Sequence, residues 1–480
     1  MLRSMYSGIS GMRVNQTKLD VVGNNIANVG TTAFKGSRVR FQDMLSQSMS
    51  EAIGPGRNQG GVNPKQVGLG VQLAGIDTLM SQGMMQPTGR NLDVGVDGEG
   101  YFIVGRGAIP ESNAAGIKVD PNEHSMNGNG MQVSFTRDGS FTLDHRGNLL
   151  TSDGYRVLGY AVTLKDANGN NLGPNSIEYS ANGNCNFVDV DSENGIKATD
   201  NLVPLRIPEA IYVRATVLNN NGDATTNTKL NYTGTVDATS DKDKFPTIGI
   251  DGEGNKFRGP QDVKIEIKWV KNSDDPTKGT FNVFVNGKDY GKANEFNNKT
   301  DVNSAEKDQG LCEILGNTKL NIDASKLPTS ESAPAITDEQ KKYSWSYALT
   351  AEGDKKVTSF SIEKDGVIKA TLDDGKVTAL GQIAMASFRN TAGLKKMGKN
   401  MYQNTANSGE PNIRSGIGGN PVVDNSDGYG DMMQGMLEMS NIDLAEQFTD
   451  MIVASRAFQA SGKMITTGDE ILQDIINLKR

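Results

Sequence analysis

At 480 residues the chain is too long for one hydrophobic core, and at about 100 to 200 residues per domain it divides into roughly three. Its 56 glycines and 6% aromatic content indicate many turns between short strands, so the middle of the chain is expected to be mostly β. A net charge of -8, without a basic cluster interleaved with aromatics, excludes nucleic acid as a partner, and no apolar run is long enough for membrane insertion or a Sec signal.

The first element reads as a helix. Met5, Met12, Leu19 and Ile26 recur every seven residues, with Leu2 and Ile9 at the intervening heptad positions. The second stripe continues as Gln16 and Gly23, which are not apolar, so this helix needs partners and is weak as a free-standing coiled coil. Asn24, Asn25, Asn28 and Gly30 then stop it in a polar, irregular turn, where asparagine side chains can satisfy orphan carbonyls and accept a left-handed backbone. Residues 36–75 read as an extended connector punctuated by Gly and Pro.

Short strand candidates follow at turn-delimited spacing: Asp93-Val-Gly-Val, Tyr101-Phe-Ile-Val, Gln132-Val-Ser-Phe-Thr, Ser140-Phe-Thr-Leu and Tyr155-Arg-Val-Leu-Gly-Tyr. Residues 164–374 are rich in Asn, Asp, Lys and Gly. Alternating runs there, such as Val263-Lys-Ile-Glu-Ile-Lys-Trp-Val, mark strands with one solvated face. A second helix closes the chain, with Leu444, Met451, Phe458, Ile465 and Leu472 every seven residues and Phe448 and Ile476 beside them. Asp443 is its expected N-cap, with Gln447 near the capping-box position, and Ser455, Gly462 and Asp469 interrupt its second stripe.

The fold expected is therefore multidomain α+β. Residues 1–35 and 430–480 form a terminal helical coiled-coil domain (D0) from both chain ends, 76–163 and 375–429 an inner β domain (D1), and 164–374 a nested outer β insertion (D2) of one or two subdomains. Both helices are expected to be marginal alone and to order when neighbours cover them. Cys185 and Cys312 have no CxxC spacing, His124 and His145 lie in turn-like surroundings, and GxSxG, HExxH and Walker A patterns are absent. No catalytic residue, metal or cofactor is expected.

Ser7-Gly-Ile-Ser-Gly-Met, Leu19-Asp-Val-Val-Gly-Asn-Asn-Ile-Ala-Asn-Val-Gly-Thr-Thr-Ala-Phe-Lys and Ser440-Asn-Ile-Asp-Leu-Ala-Glu-Gln-Phe resemble the signatures of the flagellar rod and hook axial proteins. The family mark lies on Asn24, Asn25, Asn28, Thr31, Thr32, Phe34 and Lys35. Asp97-Gly-Glu-Gly-Tyr-Phe-Ile-Val and Phe135-Thr-Arg-Asp-Gly-Ser-Phe-Thr-Leu-Asp are similar to that family's β domain. The resemblance implies a non-enzymatic subunit of a helical homopolymer, and the long insertion favours the hook branch over the distal rod. It further implies contacts with distal rod, hook cap and hook-filament junction proteins, and export through the flagellar type III apparatus to the cell exterior. Phe41 and Leu45 resemble the family's export-gate segment. In some spirochete members a lysine to cysteine-derived crosslink joins subunits, and Lys165 with Cys185 is the pair to which the resemblance points.

Overall fold

The computed structural model describes residues 2–478 apart from 57–59, 110–115, 128–130, 166–170, 173–174, 178–184, 192–194, 216, 219–223, 227–230, 233–247, 252–256, 258, 272–278, 317 and 324–343. Helix α1 spans Leu2–Ala27. After it, residues 36–75 form more than a connector. Strand Ser37–Asp43 pairs antiparallel with Val71–Thr78, Ser46–Ser50 pairs with Lys65–Gly68, and a bridge joins Ile53 to Val62. Cross-strand pairs such as Val39 with Ile76 and Phe41 with Leu73 supply the side-chain contacts that make this ribbon. It runs back along α1, where Gly70 comes so close to Ser10 that a Cβ would fall 2.4 Å from the Ser10 hydroxyl.

The β body is a largely antiparallel sheet system whose central strands are Tyr101–Arg106, Gln132–Thr136, Arg156–Lys165, Ile196–Pro204 and Val377–Ile383. Tyr101-Phe-Ile-Val is buried throughout, because both faces of its strand are covered. Phe102 and Val104 face one core with Phe141, Val157 and Leu380, whereas Tyr101 and Ile103 face another with Phe135, Leu158 and Phe388. Edge-on aromatic pairs fill both cores, with ring centroids 5.1 Å apart for Phe102 and Phe141 and 4.8 Å for Phe135 and Phe388.

This sheet system does not stop at residue 163. Ala210–Val213 pairs with Gly353–Ile362, which pairs with Val367–Leu372, which in turn pairs with Val377–Ile383. Ile211, Val213, Ile368 and Leu372 share a core with Phe102 and Val104, so residues on both sides of the expected boundaries at 163 and 375 belong to one packed unit. A separate core gathers side chains between Ile248 and Ala351 only. There Val263, Ile265 and Ile267 point inward and Lys264 and Lys268 outward along strand Val263–Lys271, the alternation expected of a sheet with one wet face. Helices α2 (Ala293–Thr300) and α3 (Gln309–Ile314), which no sequence periodicity announced, contribute Phe296 and Leu311 to it.

The chain returns through strands Asp431–Gln434 and Met436–Glu438, which pair with Val94–Asp97 and Met85–Pro87. Gly435, at φ +74, makes the step between them. Helix α4 (Leu444–Leu478) then runs antiparallel to α1: Gly468 lies beside Met5, Gly8 beside Ser461, and Lys18 pairs with Asp450 at 3.0 Å. Asp443 caps α4 through the amide of Ala445 at 2.8 Å. Gln447 does not close a capping box; its side chain instead accepts from Asn25.

Candidate functional site

The two helices meet through small and polar residues interleaved with part of the apolar stripe that the heptads suggest: a Cβ at Gly8 would lie 3.2 Å from Ile465, one at Gly468 3.1 Å from Met5 and one at Gly462 3.8 Å from Met12. On α1 the residues facing α4 include Gly8, Gly11, Lys18 and Asn25 beside Met5 and Met12; on α4 Ala454 and Gly468 are buried, with Ser461 between them. A Cβ added at Gly8 would lie 3.2 Å from the Ser461 carbonyl oxygen and one at Gly11 3.1 Å from its hydroxyl. Small residues permit this approach, and the Ser461 hydroxyl donates back to Ala457 O at 2.8 Å, within its own helix. The residues expected to form the seam border this contact: Met5, Met12, Leu19, Ile26, Met451, Ile465 and Leu472 are half-buried, and Ile9, Leu444, Phe448, Phe458 and Ile476 are exposed. The stripe seven residues apart through Ser455, Gly462 and Asp469 is one position off from the one that carries the closest approach.

Beyond the helix pair lies a neck where both chain ends enter the β body. Asn24 and Asn28 work locally: the Asn28 amide donates to Asn24 O at 2.9 Å, and the Thr31 hydroxyl donates to Asn28 Oδ1 at 3.3 Å. Asn25 is buried and acts at long range. Its amide donates to Ser37 O at 2.8 Å and Gln447 Oε1 at 2.9 Å, while its oxygen accepts from the Ser37 amide. The left-handed backbone expected of an asparagine falls instead on Ala33, at φ 55. Asn400 donates to Thr32 O at 2.9 Å, and Lys396 reaches Lys35 O at 2.8 Å while lying 5.0 Å from the centre of the Phe34 ring. Asn441 joins the ends, accepting from the Gly36 amide at 2.9 Å and donating to Leu79 O at 2.8 Å.

At the centre of the neck sits a buried ion triad. Lys35 Nζ lies 2.5 Å from Glu438 Oε1, and Arg137 Nε lies 2.9 Å from Glu438 Oε2; the side chains of Lys35 and Glu438 are 1% and 0% exposed. Spare donors are used. Lys35 also donates to Ser81 O, Arg137 donates to Gly98 O and Gly100 O, and the Gly83 amide donates to Glu438. Burial pulls the Lys35 ammonium below the ordinary lysine range, opposed by its carboxylate partner. Burial likewise pushes the Tyr101 hydroxyl, whose ring lies under Arg137, up to about 12. Residue spacing could not reveal this cluster, because Glu438 lies 403 positions from Lys35 and 301 from Arg137, and no local pattern marks them as partners.

The remaining candidates stand apart from the neck. Phe41 and Leu45 are exposed, and Phe41 lies on a strand paired with Leu73, so the two do not share a helical face. Cys185 is fully buried beside Ile211, and burial pushes its thiol up to about 11. Lys165 is half-buried at the end of its strand, and both cysteines are free.

Three family models match the chain: the flagella basal body rod protein model at residues 5–35, the flagellar hook protein FlgE/F/G D1 domain at 124–238, and the flagellar basal body rod FlgEFG C-terminal model at 433–478. The first and third coincide with the helix pair and the neck. The chain is 34% identical to the flagellar hook protein FlgE of Borreliella burgdorferi over 514 aligned residues, covering 100% of both. It is 31% identical to that of Treponema pallidum and 29% identical to the basal-body rod protein FlgG of Bacillus subtilis, again over 100% of each chain. With signatures at both ends gathered at one neck and full-length similarity to hook proteins, the chain belongs to the flagellar hook protein family.

Proposed function

We propose that the chain is the structural subunit of a bacterial flagellar hook, a polymer outside the cell that acts as a universal joint and carries motor torque to the filament. Copies join through heterologous contacts that do not close after one turn, giving a curved helical tube. The observation that carries this reading is the exposed surface of α4, where Phe448, Ile452, Val453, Ile471, Ile475 and Ile476 stand uncovered in the single chain. These side chains are 44–63% exposed, so covering the rest of each is worth roughly 1–2 kcal/mol, and several along one helix favour burial between copies.

In this reading the terminal helices form a coiled-coil inner wall, the β body the middle of the tube, and the unit cored between Ile248 and Ala351 its outer surface. Its ends would contact distal rod, hook cap and hook-filament junction proteins. Export would proceed through the flagellar type III apparatus, for which Phe41 and Leu45 are available because both are exposed. A crosslink between Lys165 and Cys185 would require Cys185 to leave its buried position, and it predicts polymers that resist boiling in detergent until Cys185→Ala is introduced. The distal rod is the alternative within the same family, and the rod protein of B. subtilis is its nearest support. Deleting the gene separates the two: cells that keep a rod and lose the hook support the proposal, and cells without a distal rod overturn it.

A further inference from the structure

The triad draws its three charges from three parts of the chain. Lys35 follows α1, Glu438 precedes α4, and Arg137 belongs to the β body, and the pairs Lys35–Glu438 and Arg137–Glu438 are 403 and 301 positions apart. The three contributions are unequal. Glu438 lies on strand Met436–Glu438, which is held independently by pairing with Met85–Pro87, and it keeps Arg137 and the Gly83 amide as partners if Lys35 is removed. Among the described residues Lys35 donates only to Ser81 O besides Glu438, and its side chain is 1% exposed. An ammonium buried at that depth without a carboxylate is strongly disfavoured, so Lys35 has no stable place in the neck until Glu438 is there.

We infer that Glu438 is an order-setting lock: the C-terminal strand docks on the β body first, through Arg137, and only then can Lys35 and the N-terminal arm dock. The neighbouring contacts follow the same order. Ala33 N donates to Glu438 O at 2.8 Å and the Gly36 amide donates to Asn441, so the C-terminal segment holds the arm on either side of Lys35, while Asn400 and Lys396 of the body reach the carbonyl oxygens of Thr32 and Lys35. A chain whose C-terminal end has not arrived therefore keeps, of these contacts, only those from Asn400 and Lys396, and Lys35 stays out of the neck. The lock operates within one chain and does not depend on the polymer proposed above.

Hydrogen exchange of the full-length monomer, read by mass spectrometry in two variants, tests the order. Glu438→Gln is expected to speed exchange at residues 33–37 at least about tenfold while strands Tyr101–Arg106 and Arg156–Lys165 keep their protection. Lys35→Met is expected to act in one direction only, speeding exchange at 33–37 and leaving 436–439 protected. Equal release of 436–439 in Lys35→Met would overturn the order, as would wild-type protection of 33–37 in Glu438→Gln. Should Glu438→Gln lose protection throughout the body, Lys35→Met alone decides, by the same two outcomes.

Discussion

Ala33 carries a buried methyl group on a left-handed backbone, a conformation that costs an L-residue roughly 1–2 kcal/mol and persists because the Glu438 carbonyl and Asn400 hold its neighbourhood. A β-branched side chain is worse there, so Ala33→Val is expected to destabilise the neck by about 2 kcal/mol or more, measured by denaturant unfolding. Cys185 gives a pH prediction. Its thiol sits near 9.0 in the unfolded chain and about 11 in the folded one, so the unfolded chain releases the proton first as pH rises. The stability it contributes is complete below pH 9 and declines by on the order of 2 kcal/mol towards pH 11, a decline that Cys185→Ala should remove. The same thiol should resist alkylation until the protein is unfolded. At this scale the sequence marked the right stretch and misassigned the work within it. Asn24, Asn25 and Asn28 look equivalent in the chain, yet only Asn25 falls on the α1 face that meets α4. The strained position went to Ala33, for which composition gives no signal.

Between the helices, contact is governed by what is missing. Gly8 admits the Ser461 backbone, which cannot move aside, so Gly8→Val is expected to separate α1 from α4: helical ellipticity falls while the thermal transition of the β body stays unchanged. Existence and extent of both helices were legible from the sevenfold recurrence of Met5, Met12, Leu19 and Ile26 and of Leu444 through Leu472. Their mutual face was not, because glycine, serine and alanine leave no trace in an apolar pattern, and the apolar residues turn partly outward. Residues 36–75 read as a connector for a related reason, although their strands form a ribbon. Its strands are exposed on both sides along most of their length, so they lack the alternation by which strands are recognised. A two-stranded ribbon is marginal alone, and its amides are expected to exchange faster in the monomer than those of Tyr101–Arg106.

Across the whole molecule, the strands of the body were legible wherever both faces were apolar, as at Tyr101-Phe-Ile-Val. Domain boundaries were less so. Strand Arg156–Lys165 continues pairing with Ile196–Pro204, and Gly353–Ile362 rejoins the same system, although their Asn, Asp and Lys content resembles the outer unit. Polarity therefore followed exposure, not domain membership. A packed β body, joined to a helical end by a neck of ions and asparagines, gives a subunit with a firm middle and apolar side chains on α4 left for other copies. Ile452→Ser combined with Ile475→Ser should leave the monomer folded and abolish its pelleting as polymer. Electron microscopy of the purified full-length chain under polymerising conditions tests the central claim most directly: curved helical tubes are the predicted result, and straight rods, or monomers alone, would contradict it.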